Sequence, residues 1–207
     1  LLDGAARSAL ATHISDLPFE YLWLRIANFG SDKSAAGFRK YINAARDFHE
    51  IGKPIIADAI GGLPSLGIVA FGATGGICHG VAEKERFYPH HWSKPRAKGA
   101  GGGSKKRVYF SGLDAYLNDE QARTLLTTRN AKPLLGCSDM GCCPGGWEDM
   151  ILNHTTHNLT QTTRRVQELG RVPEMRRADH FLSHQLAPAD HVARQALRLR
   201  VGDKKIM

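Results

Sequence analysis

Three of the chain's four cysteines, Cys137, Cys142 and Cys143, fall within seven residues, and His154 and His157 follow shortly after. No other feature restricts the fold as much, because a chain that gathers these side chains must turn tightly and then enter a helix. Gly141 permits such a turn in "CSDMGCC", and two histidines three apart share a helix face, so either could join the thiols. Three thiols and an imidazole are a donor set for tetrahedral zinc. Adjacent cysteines point apart, so the third thiol is the weakest member of the set. Buried thiols packing a corner, or a redox-active pair, remain open readings; a disulfide between neighbours would be strained.

The chain has 207 residues, 42% hydrophobic and 23% charged, as an ordinary globular protein does. No apolar run approaches the roughly 20 residues that cross a bilayer, so no membrane is expected as a partner. The opening "LLDGAARSAL" reads as neither a natural start nor a signal peptide, and suggests an N-terminally truncated chain. Free, clustered cysteines suit a reducing compartment, hence a cytoplasmic location. The net charge is +8. From Gln161 onward ten Lys or Arg face five Asp or Glu, with Arg164, Arg165, Arg171, Arg176 and Arg177 close together. Such a region attracts phosphate, so tRNA or DNA is an expected partner, with a solvated helix surface as the plainer reading.

Along the chain, "EYLWLRIANF" (residues 20–29) suits a buried strand and "SAAGFRKYINAARDFHEIG" a helix stopped by Gly52. "KPIIADAIGG" reads as a strand, "LPSLGIVAFG" as a short helix and "ATGGICHG" as a further short strand. That order belongs to βα units around a parallel sheet. Residues 84–106 are polar, basic and glycine-rich, a flexible loop without P-loop spacing. "RVYFSGL" resumes as a strand, Asn118 caps the helix "DEQARTLLTTRNA", and "PLLGC" reads as a last short strand. Residues 147–169 and 178–200 read as two long helices, the second broken or restarted by Pro188. The expected fold is α/β: an incomplete (β/α) barrel over 1–132, with a zinc loop and C-terminal helices over 133–207 in the same domain. A closed barrel needs about 250 residues, so an open sheet edge would be covered by a partner chain or another copy.

Chemistry on parallel sheets sits beyond the carboxyl ends of the strands. Those ends carry Asn28, Asp58 and His79. Asp58, before a glycine pair, reads as a base or ligand-holding carboxylate, or equally as a turn cap. His79 would be a general base oriented by a following carboxylate such as Glu85, against a structural role. Cys78 reads as a core thiol, and "YPHHW" (residues 88–92) as an aromatic loop docking on the strand ends, with a second metal tract as the alternative.

The run "HTTHNLTQTTRRVQEL" resembles the segment of the tRNA-guanine transglycosylases (queuine and archaeosine tRNA-ribosyltransferases) in which a zinc-binding histidine precedes Asn-Leu and a helix ending in basic residues. "GKPIIADAIGGLPSLGIVAFGATGGICHG" is similar in layout to that family's late barrel strands. The resemblance spans roughly residues 53–169. It implies a structural zinc held by Cys137, Cys142, Cys143 and His157, glycosyltransferase-type base exchange, and tRNA as substrate. The chain departs from the family pattern in its C-x4-C-C spacing and its lack of the basic P-T-R element. "TGGICHGVAEKERF" also has no aspartate where the family places its nucleophile, so the resemblance leaves that role unassigned.

Overall fold

The computed structural model describes residues 3–27, 29, 34–80, 87, 89 and 106–199. Asn28, Glu85 and nearly all of the 84–106 segment lie outside the described residues. The chain is mixed α/β, and neither sheet closes into a barrel among the described residues. Its contacts divide it into two compact units, Leu1–Arg96 with Pro173–Ala178, and Ala97–Val172 with Asp179–Met207.

The first unit opens with helix α1 (Gly4–Ser15), capped by Asp3, whose carboxylate accepts from the Ala5 and Ala6 amides. Arg7 pairs α1 to Asp47 at 2.6 Å. Strand β1 (Leu22–Arg25) leads to α2 (Ala35–Asp47), which buries Tyr41, Ile42, Ala44 and Ala45 on one face. That spacing produces the helix, and Gly52 at φ 70° ends the 3-10 turn that follows it. Strand β2 (Ile55–Asp58), helix α3 (Gly62–Ala70) and strand β3 (Gly76–Cys78) complete the unit. The three strands run parallel in the order β1-β2-β3, with Arg25 opposite Asp58 and Asp58 opposite Cys78. Leu24, Ile55, Ala57, Ile60 and Ile68 fill the core beneath α2. The strand-helix alternation read from the sequence is thus present in this unit.

In the second unit an antiparallel hairpin, β4 (Arg107–Phe110) and β5 (Ala115–Asn118), turns through Asp114 at φ 50°. Asn118 caps α4 (Asp119–Thr127) in a reciprocal capping box with Gln121. Helices α5 (Ala131–Leu135), α6 (Trp147–Leu152) and α7 (His154–Arg171) follow. After α8 (Glu174–His180), whose residues as far as Ala178 belong to the first unit, come a π-helical segment (Phe181–Leu186) and α9 (Ala187–Ala196). Val108, Phe110, Leu125, Leu126, Met150 and Ile151 form the core, and Cys143 belongs to it.

Several expectations are corrected here. "PLLGC" is not a strand: Asn130, left-handed at φ 65°, restarts the chain as helix α5, and the Gly136 amide closes its last turn on the Lys132 carbonyl at 2.8 Å. A short apolar run carries no period able to distinguish the two. The expected single helix over 147–169 breaks at Asn153 (φ −102°, ψ 36°) into α6 and α7. The restart expected at Pro188 is present: the residue stands in the first turn of α9, directly after the π-helical segment. Helix α1 and strand β5 were not foreseen.

Candidate metal centre

The loop from Cys137 to Cys143 is built by Asp139. Its carbonyl accepts from the Cys142 and Cys143 amides at 3.0 and 2.7 Å, and its carboxylate accepts from the Gly141 amide at 3.0 Å. This winds the chain so that consecutive thiols reach one point. Arg164 of α7 pairs with the same carboxylate, tying the loop to the helix. Gly146, at φ 72° in a region that favours glycine, then redirects the chain into α6.

The Sγ atoms of Cys137, Cys142 and Cys143 and a ring nitrogen of His157 lie within 4.8 Å of one another. His157 Nδ1 is 3.4 Å from Cys142 Sγ and 3.3 Å from Cys143 Sγ. His157 Nε2 lies 2.8 Å from the Tyr109 carbonyl oxygen. A carbonyl only accepts, so Nε2 carries the proton and Nδ1 turns a lone pair to the sulfurs. Metal-bound histidines are oriented by this kind of outer contact. Burial pulls His157 below the ordinary histidine range, against the smaller opposing effect of the Tyr109 bond, and so favours the ligating neutral form.

Burial, reinforced by the neighbouring thiols, pushes Cys143 well above the ordinary thiol range, and burial chiefly raises Cys137. Left alone, these sulfurs keep their protons. A divalent ion among them reverses that preference by binding the thiolates. The donor set and the turned lone pair therefore fit a metal ion. Gln161 Nε2 points to Cys137 Sγ at 3.8 Å, an outer contact from one turn further along α7.

His157 does not act alone. The buried Asn158 side chain accepts from the Tyr109 amide at 2.8 Å and donates to the Arg107 carbonyl at 2.9 Å. Together His157 and Asn158 satisfy three backbone groups of β4. Further along α7, Arg165 donates to Asp114 at 2.9 Å and to the Tyr109 hydroxyl, which itself donates to Asp114 at 2.7 Å. The nominated ligands thus meet where α7 is fastened to the hairpin. The sequence signal for Asn158 was its place beside a candidate ligand; nothing in the spacing announced the Tyr109–Asp114–Arg165 group.

Of the two histidines left open by spacing, His157 is in the cluster, while His154 stands outside it, its Nε2 3.4 Å from Thr155 Oγ1. In the first unit, Asp58 does stand at the carboxyl end of the central strand. Its Oδ2 accepts from Arg25 Nε at 2.6 Å, and Arg25 also stacks 4.9 Å from the centre of the Phe87 ring. His79 Nδ1 is 3.1 Å from the Gly80 carbonyl oxygen. Cys78 is half-exposed, not the buried core thiol expected. The residues described do not bring Asp58 and His79 to any common hydrogen bond. A cleft of about 450 Å³ lies between α1 and the end of α2, lined by Ser8, Thr12, Asp47 and Glu50 and by none of the nominated residues.

The arginine cluster is partly spent inside the fold, since Arg164 and Arg165 hold Asp139 and Asp114. No helix is long and apolar enough to cross a membrane among the described residues. No family model, no curated protein and no solved structure matches this chain.

Proposed function

We propose that this chain is a zinc-stapled protein of the transglycosylase type that recognises nucleic acid, its parallel strands belonging to an incomplete (β/α) barrel. One observation carries the reading: the four residues that the resemblance nominates as ligands converge within 4.8 Å, although their spacing departs from the family pattern. Zinc suits three thiolates and an imidazole better than the harder divalent ions do. Four protein donors complete a tetrahedron and leave no position for substrate, so the ion's role is to hold α7 against β4. When bound, the ion supplies no reaction step, only a fixed junction.

Recognition would rest on phosphate contacts from the cations that the fold leaves outside its own ion pairs, with Arg171 and Arg176 exposed. Strands β1 and β3, the edges of the parallel sheet among the described residues, would be where a second chain or copy adds.

A noncatalytic binding module is the second reading, and the Arg25–Asp58 pair favours it. That carboxylate oxygen already accepts from the Arg25 guanidinium, so the pair occupies the position a substrate group would take. Under the enzyme reading Asp58 holds or deprotonates the base, and His79 stands at the adjacent strand end. Binding of tRNA and duplex DNA across a salt series, with exchange of labelled guanine into tRNA, separates these readings. Steep salt dependence with exchange that Asp58→Asn abolishes supports the enzyme; the same binding without exchange supports the module. Absence of binding at low salt overturns both.

A further inference from the structure

The three sulfurs of the metal corner are not equivalent. Cys143 is 1% exposed and packs with Met150 and Ile151, whereas Cys137 and Cys142 are half-exposed at the edge of the same cluster. A small oxidant in solvent therefore meets Cys137 or Cys142 first. Geometry then decides which thiol answers. Cys142 and Cys143 are close, 3.7 Å between sulfurs, but neighbouring Cα atoms are held about 3.8 Å apart by a trans peptide, short of the roughly 4.4–6.8 Å that a disulfide spans. Cys137 and Cys142 are separated by the Asp139–Gly141 turn, which carries no such restriction, and their sulfurs lie within 4.8 Å. Rotation about the side-chain torsions can close that gap without moving the buried Cys143.

We propose that this corner is a thiol switch, in which a peroxide joins Cys137 to Cys142 and leaves Cys143 and His157 behind. The inference rests on the metal reading for its consequence, the loss of the ion, but not for the bond itself. The step balances. One thiolate attacks a peroxide oxygen, forming an S–O bond as the O–O bond breaks and hydroxide departs. The second thiolate attacks that sulfenic sulfur, forming the S–S bond as the S–O bond breaks and a second hydroxide departs. Two protons from solvent convert both hydroxides to water. The two sulfurs are oxidised by two electrons in all, and the peroxide is reduced.

A zinc ion then keeps two of its four ligands and is released. The bonds of Asn158 and His157 to β4 need no metal, so α7 stays on the hairpin in the oxidised form with one fastening fewer. Thiol reduction restores the site. Cys78, half-exposed in the other unit and outside the cluster, is an internal control.

The test treats the whole reduced chain, zinc-loaded and chelator-treated in parallel, with hydrogen peroxide. It follows zinc release with a chromogenic chelator and maps disulfides by peptide mass spectrometry. One zinc released per chain, with a Cys137–Cys142 linkage and a free Cys143 thiol, is the expected result. Cys142→Ser should abolish the linkage; should that variant fail to fold, the wild-type map decides alone. A linkage to Cys143, oxidation of single thiols to sulfinic acid without any linkage, or zinc retained with the thiols intact would overturn the switch. If the reduced chain carries no zinc yet forms the Cys137–Cys142 bond, the switch stands and the metal reading fails.

Discussion

The two units of this chain are held together in different ways. The first keeps its parallel strands in order by burying a regular apolar pattern: Leu24, Ile55 and Ala57 from the strands meet Ile42, Ala45 and Ile68 from the helices. Its buried polar residues are few, Ser65 and Thr74. The second has an apolar core too, but its longest helix, α7, buries only His157, Asn158 and Leu169 of its 18 residues. That helix is held by directed bonds to β4, an ion pair to Asp114 and the thiol corner. Periodic burial tolerates many substitutions and leaves a legible pattern. Directed contacts tolerate few and leave almost none.

That contrast breaks most visibly at the metal corner. Cys143→Ser, or chelation of the zinc-loaded chain, should cost several kcal/mol, because metal binding free energy is folding free energy at such a site. Hydrogen exchange should accelerate in β4, β5 and α7 and remain slow in β1–β3. Equal acceleration in both units would show that the stapling is not local. Asn158→Ala comes next, at about 2–4 kcal/mol, since it leaves the Tyr109 amide and the Arg107 carbonyl without their partner in a buried setting. Asn158→Asp keeps the acceptor and loses the donor, so its melting temperature should fall between wild type and alanine.

Alkaline pH tests both units through one residue type. Burial first, then Asp58 beside Tyr41 and Asp114 beside Tyr109, push both phenols above the ordinary value of 10.0. The folded chain holds these protons more tightly than the unfolded one. Its stability is therefore intact below about pH 10 and falls as pH rises beyond it. Tyr41→Phe should remove that loss from the first unit alone, as read by denaturant midpoints at rising pH. Near neutrality the same change should be smallest of all, neutral or stabilising by up to about 1 kcal/mol, because the Tyr41 hydroxyl is buried with no hydrogen-bond partner among the described residues.

How much could be read in advance follows the same division. Strands β1–β3 and helices α2 and α3 were legible because their apolar spacing and glycine stops repeat what burial requires. The ligands were legible because thiols are rare in this chain and clustered. Spacing alone did not choose His157 over His154, since both share a helix face; the resemblance named His157, and the fold places it in the cluster with its ring held by the Tyr109 carbonyl. Helix α5 was misread because five residues are too few to show a period. Strand β5 was missed because its last residue, Asn118, reads as a helix cap, and one residue serves here as strand end and cap together. Arg164 and Arg165 read as surface charge, since nothing local says that Asp139 and Asp114 will fold back to meet them.

Asn158 also bears on how β4 meets other chains. An amide side chain laid along β4 occupies the hydrogen-bonding positions that an incoming strand would use. Those two positions of β4 are thereby denied to another chain without a lysine or a proline at the rim. Losing this one amide would do more than loosen a helix: it would free a backbone donor and a backbone acceptor that an incoming strand could pair.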